Sequence, residues 1–182
     1  VPPGLQGNPI PFAEGGREHN WLPFEQRRFY TNAFVISDDK LLLGYKKRGF
    51  GVDMYNGFGG KVEPGETPAQ AAARELKEES GIDAPLEHAG TLLFLAVGSE
   101  WAFHIEVYSA RSYTGTPTET DEMRPEWFSL SEASVKGVPS PPSESSSSST
   151  NLPPIPYSEM WADDIYWLPY LVRGQKFAGR AD

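Results

Sequence analysis

The chain has 182 residues, enough for one domain with a packed core. It contains no cysteine, which excludes disulfide frameworks and thiolate chemistry and suits a reducing compartment. A net charge of −9 argues against a nucleic acid polymer as partner, because little here would release counterions from a phosphate backbone, and no apolar run is long enough to span a bilayer.

Residues 1–26 are rich in Pro and Gly with little periodicity and read as a flexible N-terminal extension, with Trp21, Leu22 and Phe24 as apolar groups that would dock on the domain. The segment carries Glu14, Glu18 and Glu25 and shows neither a signal-peptide apolar run nor an acid-free transit pattern, although with Val as first residue a leader stays open. The domain is expected over 27–182. Arg28–Ile36 is aromatic and β-branched, Ser37-Asp38-Asp39 makes a turn, and Lys40–Lys46 completes a hairpin. Arg48–Asn56 is a Gly-punctuated loop leading into a GFGG segment that must let the backbone pass close to something.

Gly60–Ile82, GKVEPGETPAQAAARELKEESGI, is the most informative stretch. Thr67 predicts an N-cap, Pro68 suits the first helical position, Gln70 completes a Thr-x-x-Gln capping box and Gly81 supplies a left-handed stop, so a helix is expected over 68–80. Glu75, Glu78 and Glu79 fall on one face, at spacings where like charges repel, with the small Ala71 one turn earlier; Ala69, Ala72, Ala73 and Leu76 are expected on a separate apolar face. By themselves the glutamates read as a solvated acidic face or as ligands for a hard divalent cation, which takes oxygen donors and is commonly shared with substrate phosphates.

Leu86–Val97 and Trp101–Ala110 read as two strands joined at Gly98-Ser99, with another over Glu126–Leu130. Residues 131–154 change character, with a serine run bracketed by prolines, and read as a flexible insertion; a regulatory phosphorylation loop is the alternative. Ile155–Phe177 is aromatic-rich and reads as a final helix.

In Gly60, Glu66, Arg74-Glu75-Leu76, Glu78-Glu79 and Gly81-Ile82 the central stretch resembles the Nudix box at every specified position. Beyond the box, KKRGFG at 46–51, NGFGGKV at 56–62, GTPTETDEMRPEWFSL at 115–130 and MWADDIYWLPYL at 160–171 resemble the branch of the Nudix superfamily that hydrolyses oxidised purine nucleoside triphosphates. The resemblance implies an α/β Nudix fold, a mixed β-sheet sandwiched between α-helices. It implies Mg²⁺, with Mn²⁺ as an alternative, held by Glu75, Glu78, Glu79, Glu122 and the backbone of Gly59, the four glutamates being the catalytic set.

The same resemblance makes Lys46 a phosphate contact, and places Asn56, Asp163, Asp164, Trp161 and Thr31 around the nucleotide with Phe50 and Phe94 as walls. Taken alone, Lys46 is a solvated strand-end lysine, Asp163 or Asp164 a helix cap, and each Phe a core residue. Two adjacent carboxyls near apolar rings do not both ionise easily, so one is expected to stay protonated and donate to a base. Tyr55, Asn32, Phe103 and Ala162 stand where the family has Trp, Leu, Met and Pro; Asn32 and Phe103 border the expected base pocket. The implied reaction yields a monophosphate and pyrophosphate and cleanses the nucleotide pool. Alternatives are hydrolysis of another nucleoside diphosphate derivative and a nucleotide-sensing module without turnover. The expected partner is a small nucleotide, and the expected protein is a cytoplasmic monomer, with nucleus and mitochondrion also open.

Overall fold

The computed structural model describes residues 1–16, 20–131 and 151–182. Most of the insertion expected at 131–154, and the phosphorylation alternative attached to it, lie outside the described residues.

Strand β1 (Gln26–Ser37) turns at Asp38, whose left-handed φ of 53° is inexpensive for aspartate, into β2 (Lys40–Lys46). The hairpin ladder is short. It pairs Val35, Ile36 and Ser37 with Leu42, Leu41 and Lys40, after which the two strands diverge. Into the wedge comes β3 (Tyr55–Asn56), which pairs with Tyr45 and Gly44 of β2; two residues further on, Phe58 exchanges both backbone hydrogen bonds with Ala33 of β1. The GFGG segment thus crosses from one splayed strand to the other.

Helix α1 (Pro68–Ser80) follows. Both halves of the expected capping box form, and Gly81 ends the helix at φ 77°. Its buried face differs from expectation: Ala71, Ala72, Leu76, Glu79 and Ser80 are buried, whereas Ala69 and Ala73 are exposed. The helix is rotated so that Glu79 belongs to the packed side, which the alanine pattern could not reveal because alanine is indifferent to exposure.

Strands β4 (Glu87–Phe94), β5 (Trp101–Ala110) and β6 (Met123–Ser129) complete most of the sheet. The helix expected over Ile155–Phe177 is much shorter. A 3-10 turn covers Tyr157–Glu159, α2 spans only Asp164–Val172, and Phe177–Ala181 forms β7, which sequence reading missed. Extended Met160 separates the two turns of helix. At the other end Gly174 takes φ 70°, and the N–H groups of Gly174 and Gln175 return to the carbonyls of Leu171 and Tyr170, a Schellman stop.

The seven-stranded sheet runs β3-β2-β1-β5-β4-β7, with β6 also on β2. It is mixed, β1 pairing parallel with β5 and β4 parallel with β7. Alternation along the strands separates two cores: Ala33, Val35, Leu42 and Met123 pack with Phe58, Leu76 and Ile82 on the α1 side, and Phe34, Ile36, Leu41, Leu43 and Val107 with Trp167, Leu168 and Leu171 on the α2 side. The sheet is sandwiched between the helices, as the α/β expectation required.

Among the described residues before β1 there is no helix or strand, yet this segment makes specific contacts. Leu5, Leu22 and Phe24 pack on Leu93, Leu95 and Ala102. Arg180 donates to the carbonyls of Pro3 and Leu22, both at 2.6 Å, and Phe12 meets Tyr170 with ring centroids 4.3 Å apart.

Candidate active site

At the splay of β1 and β2 the GFGG backbone runs against α1. A Cβ on Gly59 would lie 1.9 Å from the Thr31 carbonyl oxygen, so only glycine fits there; one on Gly60 would lie 2.5 Å from Oε1 of Glu75 and would push that carboxylate aside. The Gly59 N–H donates to Oε2 of Glu79 at 2.9 Å. The Lys46 ammonium donates to Oε1 of Glu79 at 3.2 Å and also to Oε1 of Glu122. Four of the expected site residues, from β2, the glycine segment, α1 and the approach to β6, therefore form one network.

Its electrostatics are set by burial. Glu79 is only 4% exposed, and burial pushes its carboxyl up to about 7 despite the opposing pull of the Lys46 ammonium and the Gly59 N–H. Burial likewise works against the Lys46 ammonium, but Glu122 and Glu79 outweigh it and hold its pKa above the ordinary value. The Lys46 hydrogen bond holds Glu122 below the usual carboxylate range.

Arg74 explains two further positions of the motif. It grips Glu66 through two nitrogens, at 3.1 and 2.7 Å, and reaches Glu75 at 2.7 Å and Glu78 at 3.3 Å. Its Nη2 also donates to the Lys61 carbonyl at 3.2 Å, tying the loop before α1 onto the helix. That scaffolding role was not read from the sequence.

Glu75 is half-buried and Glu78 exposed. As they stand, no three carboxylates or imidazoles among the described residues converge on one point suited to a metal ion, and the cations facing the glutamates are Lys46, Arg74 and, 3.6 Å from Glu122, Arg48. The donor set nevertheless fits a hard divalent cation. It offers carboxylate oxygens beside half-buried glycine backbone, and its buried member, Glu79, is one whose charged form the present neighbours leave undercompensated.

A second group lies around α2. Asp163 occupies the N-cap position without a side-chain cap bond, and its Oδ2 instead accepts from Trp167 Nε1 at 2.9 Å. The capping alternative for Asp163 is thereby excluded. Asp164 is 3% exposed, and its Oδ2 has no hydrogen-bond partner. Burial, reinforced by Asp163, pushes Asp164 up to about 8. The Tyr157 hydroxyl is also buried without a partner and is pushed up to about 12 by burial and by Asp164, an addition that sequence reading did not make.

Trp161 joins the two groups. Phe50 stacks on it at 5.2 Å between centroids and 18° between planes, on the loop that connects Lys46 to Asn56. Phe50 is otherwise 88% exposed. Phe94 instead packs against the α2-side core, and Thr31 is buried with an unpartnered hydroxyl. Asn56 is half-buried beside Asn32, which donates to it at 2.9 Å. Two depressions, near 270 and 370 Å³, lie elsewhere, about Pro85 and Ser112, and none of these residues lines them.

A nucleotide-hydrolase type of site on this sheet sandwich agrees with comparison to known proteins: the family model described as the NUDIX domain matches residues 26–146. The chain belongs to the Nudix family. It is 41% identical over 153 residues to the oxidized purine nucleoside triphosphate hydrolase of Mus musculus, covering 84% of each chain, and 39% identical over the same length and shares to that of Danio rerio. Among solved structures it is similar to a MutT NUDIX hydrolase from Burkholderia pseudomallei, at TM-score 0.53 and 26% identity over 64% of this chain and 90% of that one. A MutT protein from Bacillus halodurans, at TM-score 0.58 and 21% identity over 84% of this chain and 88% of the other, shares the fold. Nudix hydrolases act on small nucleotide substrates and generally need a divalent metal ion.

Proposed function

We propose that this protein hydrolyses oxidised purine nucleoside triphosphates, of the 8-oxo-dGTP and 2-hydroxy-dATP type, to the monophosphate and pyrophosphate, with Mg²⁺ or, in its place, Mn²⁺. The observation that carries the reading is the Asp163–Asp164 pair. One carboxyl accepts from Trp167, while its buried neighbour has a free oxygen and a pKa pushed up to about 8. At neutral pH such a neighbour retains its proton and donates to a base atom, so the pair offers a donor and an acceptor side by side. The likeness to the mouse and zebrafish enzymes points to the same substrates.

In this reading Glu75, Glu78, Glu79 and Glu122 hold the cation with the backbone of Gly59, and Lys46 meets the phosphates. A bound divalent ion would supply charge neutralisation at the phosphoryl oxygens and a water acidified for attack. What the chain itself contributes is position. Arg74 fixes the loop against α1, the Gly59 N–H orients Glu79, and Trp161 with Phe50 offers flat apolar surface to a base. The reading describes a monomer that protects DNA by cleansing the nucleotide pool, in the cytoplasm, nucleus or mitochondrion. Residues 27–182 form the catalytic domain, with 1–26 and the 131–154 insertion as additions to it.

The deciding measurement is kcat/KM on 8-oxo-dGTP, 2-hydroxy-dATP, dGTP, a nucleotide sugar and a dinucleoside polyphosphate, with and without Mg²⁺. Oxidised purines should be preferred over dGTP, and turnover should vanish in excess chelator. Faster hydrolysis of the nucleotide sugar or dinucleotide would replace this assignment with another Nudix activity, and tight binding without turnover would make the protein a sensor.

A further inference from the structure

Asn32 and Asn56 meet where β1 and β2 splay. The backbone N–H of Gly57 lies 2.8 Å from one terminal atom of the Asn56 amide. A backbone N–H only donates, so that atom is the oxygen, Oδ1. The atom of Asn32 that lies 2.9 Å from the same Oδ1 must then be its nitrogen, Nδ2. Two donors occupy the two lone-pair directions of Oδ1. Nothing described in the protein accepts from Nδ2 of Asn56, and its side chain is half-buried at the wedge. Asn32 itself is held in place: its Oδ1 lies 2.3 Å from where a Cβ on Gly57 would be, so its amide rests against a residue that has no side chain.

We infer that Asn32 is a positioning residue for base specificity: by locking the Asn56 oxygen inward it presents Asn56 to the nucleotide as a donor only, so the purine edge facing Asn56 must carry hydrogen-bond acceptors, a ring nitrogen or an exocyclic carbonyl. The inference rests on the proposed nucleotide reading of this site and deepens it. A base turning an N–H toward Asn56 would leave two donors facing each other, and sites built on buried polar groups discriminate strongly against such partners.

The test replaces the donor with an acceptor of the same shape. Asn32→Asp places an acceptor against Oδ1 and so opposes the amide orientation that the Gly57 N–H still favours, whereas Asn32→Leu leaves Oδ1 held by the Gly57 N–H alone. Steady-state kinetics would be measured on 8-oxo-dGTP, dGTP and three dGTP analogues: the 3-deaza and 7-deaza triphosphates, each lacking one ring-nitrogen acceptor, and the 2-aminopurine triphosphate, which lacks the O6 acceptor and carries N1 as an acceptor instead of a donor. Asn32→Asp should raise KM on the guanine substrates about tenfold and Asn32→Leu about threefold, with kcat changed much less. The analogue missing the acceptor that faces Asn56 should be insensitive to Asn32→Asp. Uniform losses across all five substrates, or a loss confined to kcat, would overturn the inference. Should the aspartate variant fail to fold, side-chain amide NMR of the wild type and Asn32→Leu decides. The Asn56 amide protons should shift on titration with 8-oxo-dGMP, more weakly in Asn32→Leu, and equal shifts would refute the role. If the wild type does not prefer 8-oxo-dGTP over dGTP, the proposed function fails while the Asn32 experiment is still read on dGTP.

Discussion

Asp164 has a consequence that can be measured without substrate. Its folded-state pKa, about 8, lies above the unfolded reference of 3.8, so the native state holds this proton more tightly than the unfolded chain. Its contribution to stability is therefore complete below about pH 4 and is lost as pH rises through about 8. Asp164→Asn removes a slope of up to about 1.4 kcal/mol per pH unit in that window. Urea midpoints at pH 5 and pH 8 should consequently lie closer together in the variant than in the wild type; an unchanged gap would show that Asp164 is ionised in the fold. The same substitution should alter the ratios of kcat/KM among 8-oxo-dGTP, 2-hydroxy-dATP and dGTP. Glu79→Gln should instead depress all three alike, by about a hundredfold or more in kcat, since the loss would be of metal and water positioning rather than base contact. Circular dichroism should show it folded. Near-normal turnover would remove Glu79 from the catalytic set.

At the scale of elements, α1 is a local structure that tertiary contacts then orient. Its caps are built from its own sequence, while Arg74 links it to the preceding loop and Glu79 links it to the glycine segment and β2. The Ser/Pro-rich insertion stands in contrast. The Ser129 N–H donates to the Pro153 carbonyl at 2.8 Å, so the chain leaves and re-enters the domain at neighbouring points. Deleting Ser134–Thr150 shortens a connection whose ends already meet, and closure entropy changes only slowly with loop length, by about 0.6 kcal/mol per doubling. Melting temperature and turnover on 8-oxo-dGTP should both stay close to wild type. A large fall in melting temperature would mean that the segment packs, and a selective change in base preference would mean that it covers the pocket.

For the whole molecule, Arg180 is one residue through which the N-terminal segment and the C-terminal strand hold each other, beside the Leu22 N–H that donates to Asp182 at 2.6 Å. The Arg180 side chain is fully buried, pairs with Asp182 at 2.7 Å, donates to Pro3 and Leu22, and lies over the rings of Trp21 and Phe24. Arg180→Ala leaves those carbonyls without their donor and leaves Asp182 with only the Leu22 N–H, 2.6 Å from its Oδ2, and should cost about 1 to 3 kcal/mol. Limited proteolysis should then cut within residues 4–24 of the variant sooner than in the wild type, with turnover retained in what remains. Equal cleavage rates would show that the N-terminal segment is held by its apolar contacts alone. Arg27, which donates to the Gly4 carbonyl at 2.9 Å, is a further tie.

The amino-acid sequence alone determined the α1 helix with both caps, the hairpin at Asp38 and the shared spacing of Glu75, Glu78 and Glu79, because each rests on residues within a few positions of one another, where local hydrogen bonding and spacing are sufficient; the Nudix family was legible from an ordered motif of fixed offsets. Only the tertiary structure decided which face of α1 is buried, since Ala69 and Ala73 are as content in water as in a core. It also decided that the expected final helix stops at Gly174 to release β7, because the reward for that stop is pairing with β4, far earlier in the chain, where Gly90 meets Phe177. The same holds for the site. Glu79 could be named from its neighbours, but its carboxyl near pH 7, the free oxygen of Asp164 and the inward lock of Asn56 by Asn32 depend on burial and on partners from other elements, which no local pattern encodes.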